Sequence, residues 1–148
     1  MKCKFNQAVS RILAVVSLFA ASLTFSSCID PIENFSLLDG RWVICNVAMD
    51  KMMTLDFFRE DGINFVEVLN ANTAKGPVIG SGYDGVFEYE AYRNKDKELV
   101  LRFHYTEADF DGGTTSHYNE LIYEEVDEGT MHLVETCRKP QVWTFMRR

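Results

Sequence analysis

The chain has 148 residues, with 15 basic and 22 acidic side chains, so its formal net charge at pH 7 is −7. Its length suits one domain with a single hydrophobic core. Because an acidic surface repels phosphate groups, the charge excludes nucleic acid as a partner, and it excludes attachment to anionic lipid head groups through charge alone.

The N-terminal part of the chain has the pattern of a bacterial secretory signal. Lys2, Lys4 and Arg11 form a basic start, and the apolar run that follows, up to Phe25, is too short to span a membrane comfortably. Two serines separate this run from Cys28, an arrangement that resembles the lipobox of bacterial lipoproteins. In that family the signal is cleaved before the cysteine, whose sulfur then carries lipid. The resemblance implies a signal peptide over residues 1–27 and lipidation of Cys28.

Cleavage leaves 12 basic and 22 acidic side chains, a net charge of −10. Attachment to a lipid bilayer then depends on acyl chains, in which each buried methylene contributes about 0.8 kcal/mol and more than one chain is needed for a stable anchor. Residues 28–35, which include Pro31, are predicted to form a polar tether. Asp30 and Glu33 resemble the acidic export signal of some Gram-negative outer-membrane lipoproteins, which favours display at the cell surface over a periplasm-facing anchor.

The cysteines of the predicted domain are Cys45 and Cys137. Two thiols in an oxidising compartment fit a disulfide, but they fit two separate apolar side chains equally well. A bridge requires Cα atoms within about 7 Å, which spacing along the chain does not decide. Neither cysteine has a second ligand at a CxxC spacing, so no metal site is predicted.

Residues 36–148 predict an all-β domain. Strand-like runs recur with turn sequences such as Asp61-Gly62 between them, and no window keeps a helical period. Alternation is clearest where Leu99, Leu101 and Phe103 share one face. Eight antiparallel strands joined in order can close into an up-and-down barrel, which we favour over an open meander or a sandwich. The predicted strands are 41–48, 53–59, 63–71, 85–92, 98–106, 116–126, 130–137 and 141–147.

The segment before the first predicted strand leads into Gly40-Arg41-Trp42. It resembles the opening of the lipocalins, in which a one-turn helix closes the barrel floor and Gly-x-Trp begins the first strand. The resemblance implies that Gly40 and Trp42 form the floor, with Arg147 or Arg148 lying across the indole, a contact worth about 0.5 to 2 kcal/mol. It further implies a short lipocalin-like barrel without the family's C-terminal helix, similar to small Gram-negative envelope lipoproteins whose functions are mostly unassigned.

Apolar side chains on the predicted strands either line a pocket for a small apolar ligand or fill the barrel. For a domain of this size a filled interior is the expected result. The candidate lining residues are Phe65, Phe87, Tyr89, Leu101, Phe103, Tyr105, Tyr118, Trp143 and Phe145.

Two loops carry patterns that suggest ligands. The segment from Gly80 to Gly85 fits GxGxxG, but a strand follows it where a dinucleotide site needs a helix, so we interpret it as a flexible hairpin connection at the barrel mouth. Glu107, Asp109 and Asp111 alternate before two glycines, as calcium ligands do, yet the downstream acidic ligand of an EF-hand is missing. Solvated turn residues are the favoured interpretation.

The sequence predicts no catalytic residues, metal or cofactor. His104, His117 and His132 fall on three predicted strands without the spacing of a ligand pair, and no serine lies in GxSxG. The leading hypothesis is a non-catalytic, membrane-anchored envelope lipoprotein whose barrel binds a small apolar ligand or a protein. A protein-binding module, such as an inhibitor of a cationic enzyme, is the alternative. The third hypothesis is a hydrolase, which requires at least two of these histidines to converge with nearby acids. The oligomeric state stays open.

Overall fold

The computed structural model describes residues 30–33, 35–45, 52–72 and 75–148, and these residues form β-strands joined by turns. Within them there is no helix, and therefore none that could cross a membrane. The signal peptide over residues 1–27, the lipidation site Cys28 and residues 46–48 of the first predicted strand lie outside the described residues. The strands are β1 (Asp30–Pro31), β2 (Gly40–Ile44), β3 (Thr54–Glu60), β4 (Ile63–Leu69), β5 (Gly85–Arg93), β6 (Leu99–Ala108), β7 (Thr114–Asp127), β8 (Thr130–Glu135) and β9 (Val142–Arg147).

The strands from β2 to β9 close into a barrel. Each pairs antiparallel with the next one along the chain, and β9 returns to pair with β2 through Val43↔Met146 and its neighbours. The all-β, eight-stranded, up-and-down barrel predicted from the sequence is confirmed, and its layout is lipocalin-like. Closure pairs the edges of β2 and β9, which would be open edges in an unclosed sheet.

The short strand β1 falls in the segment that the sequence predicted to be a tether. β4 pairs with β5 only as far as Tyr89, so the carbonyl of Ala91 on that side has no partner in β4. Ile32, which follows β1, donates its N–H to this carbonyl at 2.9 Å. An unpaired backbone group at a strand edge is costly when buried, and the N–H of Ile32 satisfies this one. Phe35, the last residue of the predicted tether, is buried in the core.

The barrel interior is filled by side chains that alternate along the strands. Phe57 meets Tyr89 edge to face, with 5.3 Å between ring centroids, and Tyr89 lies 5.9 Å from Phe103. Offset and edge-on aromatic contacts at these distances are favourable. The other large side chains with less than 2 % exposure are Trp42, Phe145, Leu38, Ile44, Met53, Leu55, Ile79, Leu101 and Met131.

Candidate functional site

One end of the barrel, the floor, is closed by the residues of the Gly-x-Trp motif. Trp42 pairs across the strands with Arg147, whose guanidinium carbon lies 4.7 Å from the indole centroid. The indole N–H donates to the carbonyl of Leu38 at 2.8 Å. The Arg147 guanidinium donates to the carbonyls of Leu37 and Asp39 at 2.9 and 3.2 Å. The floor is thus a structural closure, in which the indole N–H and the Arg147 guanidinium are both hydrogen-bonded to backbone carbonyls.

We expect Arg147→Met to lower the free energy of unfolding by about 1 to 2 kcal/mol, because it removes a cation–π contact and two hydrogen bonds to the floor. Urea unfolding of the purified domain measures this change. Arg148→Met is the matched control, since Arg148 is held by its backbone N–H donating to Arg41 at 2.8 Å. Equal losses in the two variants would contradict the role given to Arg147.

The residues predicted to line a pocket occupy three different environments. Tyr89, Leu101, Phe103 and Phe145 are buried in the packed interior, while Phe87, Tyr105 and Trp143 are half-buried. Two of the predicted residues do not face the interior. Phe65 and Tyr118 lie on the outer face because their neighbours Val66 and Leu121 set the inward alternation of β4 and β7. Phe65 stacks on Phe58 at 5.6 Å, and Tyr118 is 57 % exposed.

The other end of the barrel, the mouth, is covered by the segment between β4 and β5. Ile79 is 1 % exposed and belongs to the core cluster. Gly80 adopts φ +54° directly against the ring of Phe87, and its carbonyl accepts a 2.6 Å hydrogen bond from Asn119. The GxGxxG segment therefore begins in a packed cover at Gly80, where its glycines led us to expect a flexible connection, whereas Tyr83 further along is 66 % exposed.

Cys45 and Cys137 are both unpaired thiols, so the disulfide is not formed. The N–H of Cys45 donates to the carbonyl of Thr144 at 2.7 Å, and Thr144 pairs with His132. Cys45 is therefore level with His132 across the sheet, and Cys137 lies five residues beyond His132. This offset separates the two cysteines by on the order of 15 Å along the strand direction. The Cys137 thiol instead donates to the carbonyl of Lys139 at 3.3 Å.

The three histidines lie at three separate places, and each faces its own glutamate. His104 Nε2 is 3.3 Å from Glu90 Oε2, a distance of ionic contact without hydrogen-bond geometry. The other pairs, His117 with Glu107 and His132 with Glu124, are 3.5 and 3.7 Å apart. The convergence required for a hydrolase is not present. In the described part of the chain, no three histidine, cysteine or acidic side chains are grouped to hold a metal ion.

The acidic loop between β6 and β7 uses its carboxylates to hold its own turn. Thr115 donates its hydroxyl to Asp109 Oδ2 at 2.9 Å, and the N–H of Gly113 donates to Asp111 Oδ1 at 3.1 Å. Asp109 and Asp111 are exposed, and Phe110 between them is fully exposed at the tip. This geometry fits solvated turn residues.

The most distinctive surface is an arm formed by residues 104–108 of β6 and 114–120 of β7, here called the ribbon. The two strands pair along their whole length to Ala108↔Thr114. On one side β5 pairs with β6 only up to Phe103, and on the other side β8 begins to pair with β7 at Leu121. The ribbon therefore extends past both neighbouring strands, and among the residues that the structure describes no strand pairs with either of its outer edges.

A groove with a volume of about 500 Å³ lies where β5 and the ribbon diverge. We call it the β5–ribbon groove and take it as the candidate binding site. Sequence reasoning missed it because strand pairing, which no local pattern reveals, determines where two neighbouring strands separate. The residues that line the groove are Ser81, Val86, Phe87, Glu88, Glu90, His104, Tyr105, Thr106 and Ser116.

A cluster on the outer face fixes the base of the ribbon. The Arg102 guanidinium lies between the rings of Tyr92 and Tyr118, at 4.9 and 4.7 Å, and binds Glu120 at 2.8 Å. The Tyr92 hydroxyl donates to the same carboxylate at 2.6 Å. The pKa of Tyr92 is raised to about 12, and burial has the largest effect, while the hydrogen bond to Glu120 has the next largest. The phenol stays neutral in the folded protein where an unfolded tyrosine would already ionise.

This pKa predicts a loss of stability at high pH. A raised pKa means that the contribution is fully present below pH 10, the ordinary value, and is lost as pH rises towards 12. We expect Tyr92→Phe to reduce the stability lost between about pH 9 and about pH 11, as measured by urea unfolding. Part of the loss should remain, because burial also raises the pKa of Tyr89 and Tyr123. An identical loss in Tyr92→Phe would show that Tyr92 is not involved.

Two further grooves lie on the outer surface. One, of about 350 Å³, follows the opposite edge of the ribbon and includes Tyr118, Glu135 and Cys137. The other, of about 700 Å³, lies over β2, β3 and β4, and its two arginines are Arg41 and Arg148. Arg41 is paired with Asp56 at 3.3 Å.

Compared with known proteins, the chain matches no protein-family model, no curated protein and no solved structure.

Proposed function

We propose that the protein is a non-catalytic binding module of the bacterial cell envelope, tethered to the outer membrane through an acylated Cys28, and that its partner is a protein bound on the outside of the barrel. The signal pattern before Cys28 supports the tether. The geometry of the described residues supports the external site, because the interior is packed and a projecting arm is exposed.

The filled interior is the observation that carries this proposal. Phe103, Leu101 and Phe145 are fully buried at mid-barrel, while Trp42 and Ile79 cover the floor and the mouth. An interior of close-packed side chains offers a lipid chain no volume without unpacking the core, which costs several kcal/mol. A small apolar ligand inside the barrel is therefore the less favoured version of the binding hypothesis.

The charge indicates the kind of partner. A mature chain of charge −10 attracts cationic proteins and accelerates their association at low ionic strength. This supports the second hypothesis, an inhibitor or receptor for a cationic protein, as the specific form of the binding function. The separate His–Glu pairs give no support to a hydrolase.

A brominated fatty acid tests the proposal, because bromine quenches tryptophan fluorescence on contact. Trp42 belongs to the core cluster and Trp143 packs against it, so both report a guest in the barrel. We expect no quenching by fatty acid below its micellar concentration. Saturable quenching with one fatty acid per domain would contradict the proposal and restore an internal lipophilic site.

A further inference from the structure

We propose that the β5–ribbon groove binds an extended, cationic segment of a partner protein, which adds a strand to the open edge of β6. This inference rests on the proposed function and names the chemistry of its site. Strand addition to a free sheet edge is a general mode of peptide recognition, in which backbone hydrogen bonds give affinity and alternate side chains give specificity.

The direction of the backbone groups shows that this edge is available. The carbonyl of Ala91 accepts from Ile32, on the side away from β6, so the even-numbered residues of β5 face β6. Since Glu90 pairs with Arg102, the even-numbered residues of β6 face β5. The N–H of Asp109, which donates to Gly113 across the hairpin at 2.9 Å, confirms that odd-numbered residues face β7.

The backbone N–H and C=O groups of His104, Thr106 and Ala108 therefore point into the groove from β6. Those of Val86 and Glu88 point into it from β5, because these residues precede the first β5–β6 pair, Tyr89↔Phe103. Among the described residues between β4 and β5, the backbone–backbone hydrogen bond runs within the segment, from the N–H of Gly82 to the carbonyl of Ile79. The bond to the ribbon comes from the Asn119 side chain of β7 and leaves the β6 edge free of this segment. Two strands thus present open hydrogen-bonding edges to one groove.

The side chains of the groove select a cationic segment. Glu88 and Glu90 line it, and its lining residues include no lysine or arginine. Glu90 also lies 4.0 Å from the Arg102 guanidinium at the edge of the groove, so Glu88 is the main carboxylate for an incoming cation. Val86, 55 % exposed, lies on the same outer face of β5 as these two glutamates and offers an apolar contact beside Glu88. An extended segment that alternates basic and apolar side chains would place its basic groups on the outer face, against these carboxylates, and its apolar groups on the opposite face, against Phe87 and Tyr105.

One other occupant and one other groove fit less well. A second copy of the chain would bring its own Glu88 and Glu90 and a charge of −10 to the same carboxylates, and like charges oppose this pairing. The groove on the opposite edge of the ribbon is smaller, at about 350 Å³, and residues 135–137 of the β8 end line it. The β5–ribbon groove is therefore the favoured receptor, and the cationic segment is the favoured occupant.

A peptide of alternating lysine and valine, acetylated and amidated at its ends, is the probe for this site. Amide hydrogen exchange of the folded domain should slow at His104, Thr106 and Ala108 when the peptide binds. The same peptide N-methylated at alternate residues along one edge, and a peptide of alternating glutamate and valine, should each bind at least about tenfold more weakly.

Thr106→Pro removes one edge N–H that points away from β7, so the hairpin ladder stays intact. We expect this variant to bind the lysine–valine peptide about tenfold more weakly. Thr114→Pro is the matched control, because its N–H lies on the other edge of the same ribbon, and its affinity should not change. If Thr106→Pro does not fold, the N-methylated peptide with the unaltered domain provides the same comparison.

Each other outcome overturns the inference in a distinguishable way. Unchanged exchange at His104, Thr106 and Ala108 up to millimolar peptide, or protection confined to another surface, rejects this groove but leaves the proposed external binding intact. A dimer in sedimentation that Thr106→Pro dissociates makes a second copy the occupant. Saturable uptake of the brominated fatty acid by the unaltered domain rejects the proposed function itself.

Discussion

Phe103→Ala should lower the free energy of unfolding by about 3 to 5 kcal/mol, the range for removing a fully buried aromatic side chain. The Phe103 ring is 0 % exposed and packs against Tyr89 at the centre of the barrel. Urea unfolding followed by tryptophan fluorescence measures the change. Phe65→Ala is the matched control, because Phe65 stacks on Phe58 outside the barrel and its removal should cost only about 1 kcal/mol.

The same variant should convert the filled barrel into a hollow one. Removing a core ring leaves an apolar cavity, and cavities of this kind bind small apolar molecules. We therefore expect Phe103→Ala to bind benzene, with a rise in melting temperature that the unaltered domain does not show. A loss of stability no larger than that of Phe65→Ala would mean that the barrel centre is not packed.

Gly80→Ala should cost about 2 to 4 kcal/mol, the sum of two effects. Gly80 has φ +54°, a conformation that L residues rarely adopt, and a Cβ added there would overlap the ring of Phe87. Gly112→Ala separates the effects, since Gly112 has φ +85° with no atom within 4 Å of an added Cβ. It should cost only the backbone strain, about 1 to 2 kcal/mol.

A double variant identifies the overlapping partner. If the mouth cover packs on Phe87, then adding Phe87→Ala to Gly80→Ala should cost less than the sum of the two single changes. Equal costs for Gly80→Ala and Gly112→Ala, with additive behaviour in the double variant, would show that the cover is loose. The barrel mouth would then be open to ligands.

The strands and their closure could be predicted from the sequence because their signals are local. Period-two alternation and turn residues define hairpins, and hairpins joined in order leave few topologies. The prediction that Leu99, Leu101 and Phe103 share the inward face of β6 is confirmed for the same reason. β4 and β7 carry apolar residues on both faces, so the facing of Phe65 and Tyr118 could not be predicted from alternation. Their orientation is set by the register with neighbouring strands.

The mouth cover and the candidate groove could not be predicted because they depend on contacts between distant residues. The glycines of the segment around Gly80 suggested mobility, whereas Gly80 serves close approach to Phe87 and accepts a hydrogen bond from Asn119. The ribbon depends on β5 and β8 stopping short of it. One local signal did indicate the length of the ribbon. Thr114 and Thr115 are β-branched residues just before residue 116, where the strand was predicted to start, and such residues favour strands.

Native mass spectrometry of the full-length protein, extracted from the envelope of the cells that produce it, tests the central claim most directly. The claim is that a filled barrel is tethered outside the cytoplasm and binds its partner externally. It predicts a chain that begins at an acylated Cys28 and carries no apolar molecule within the domain. A chain that retains residues 1–27 without lipid, or a domain with one tightly held lipophilic guest, would contradict it.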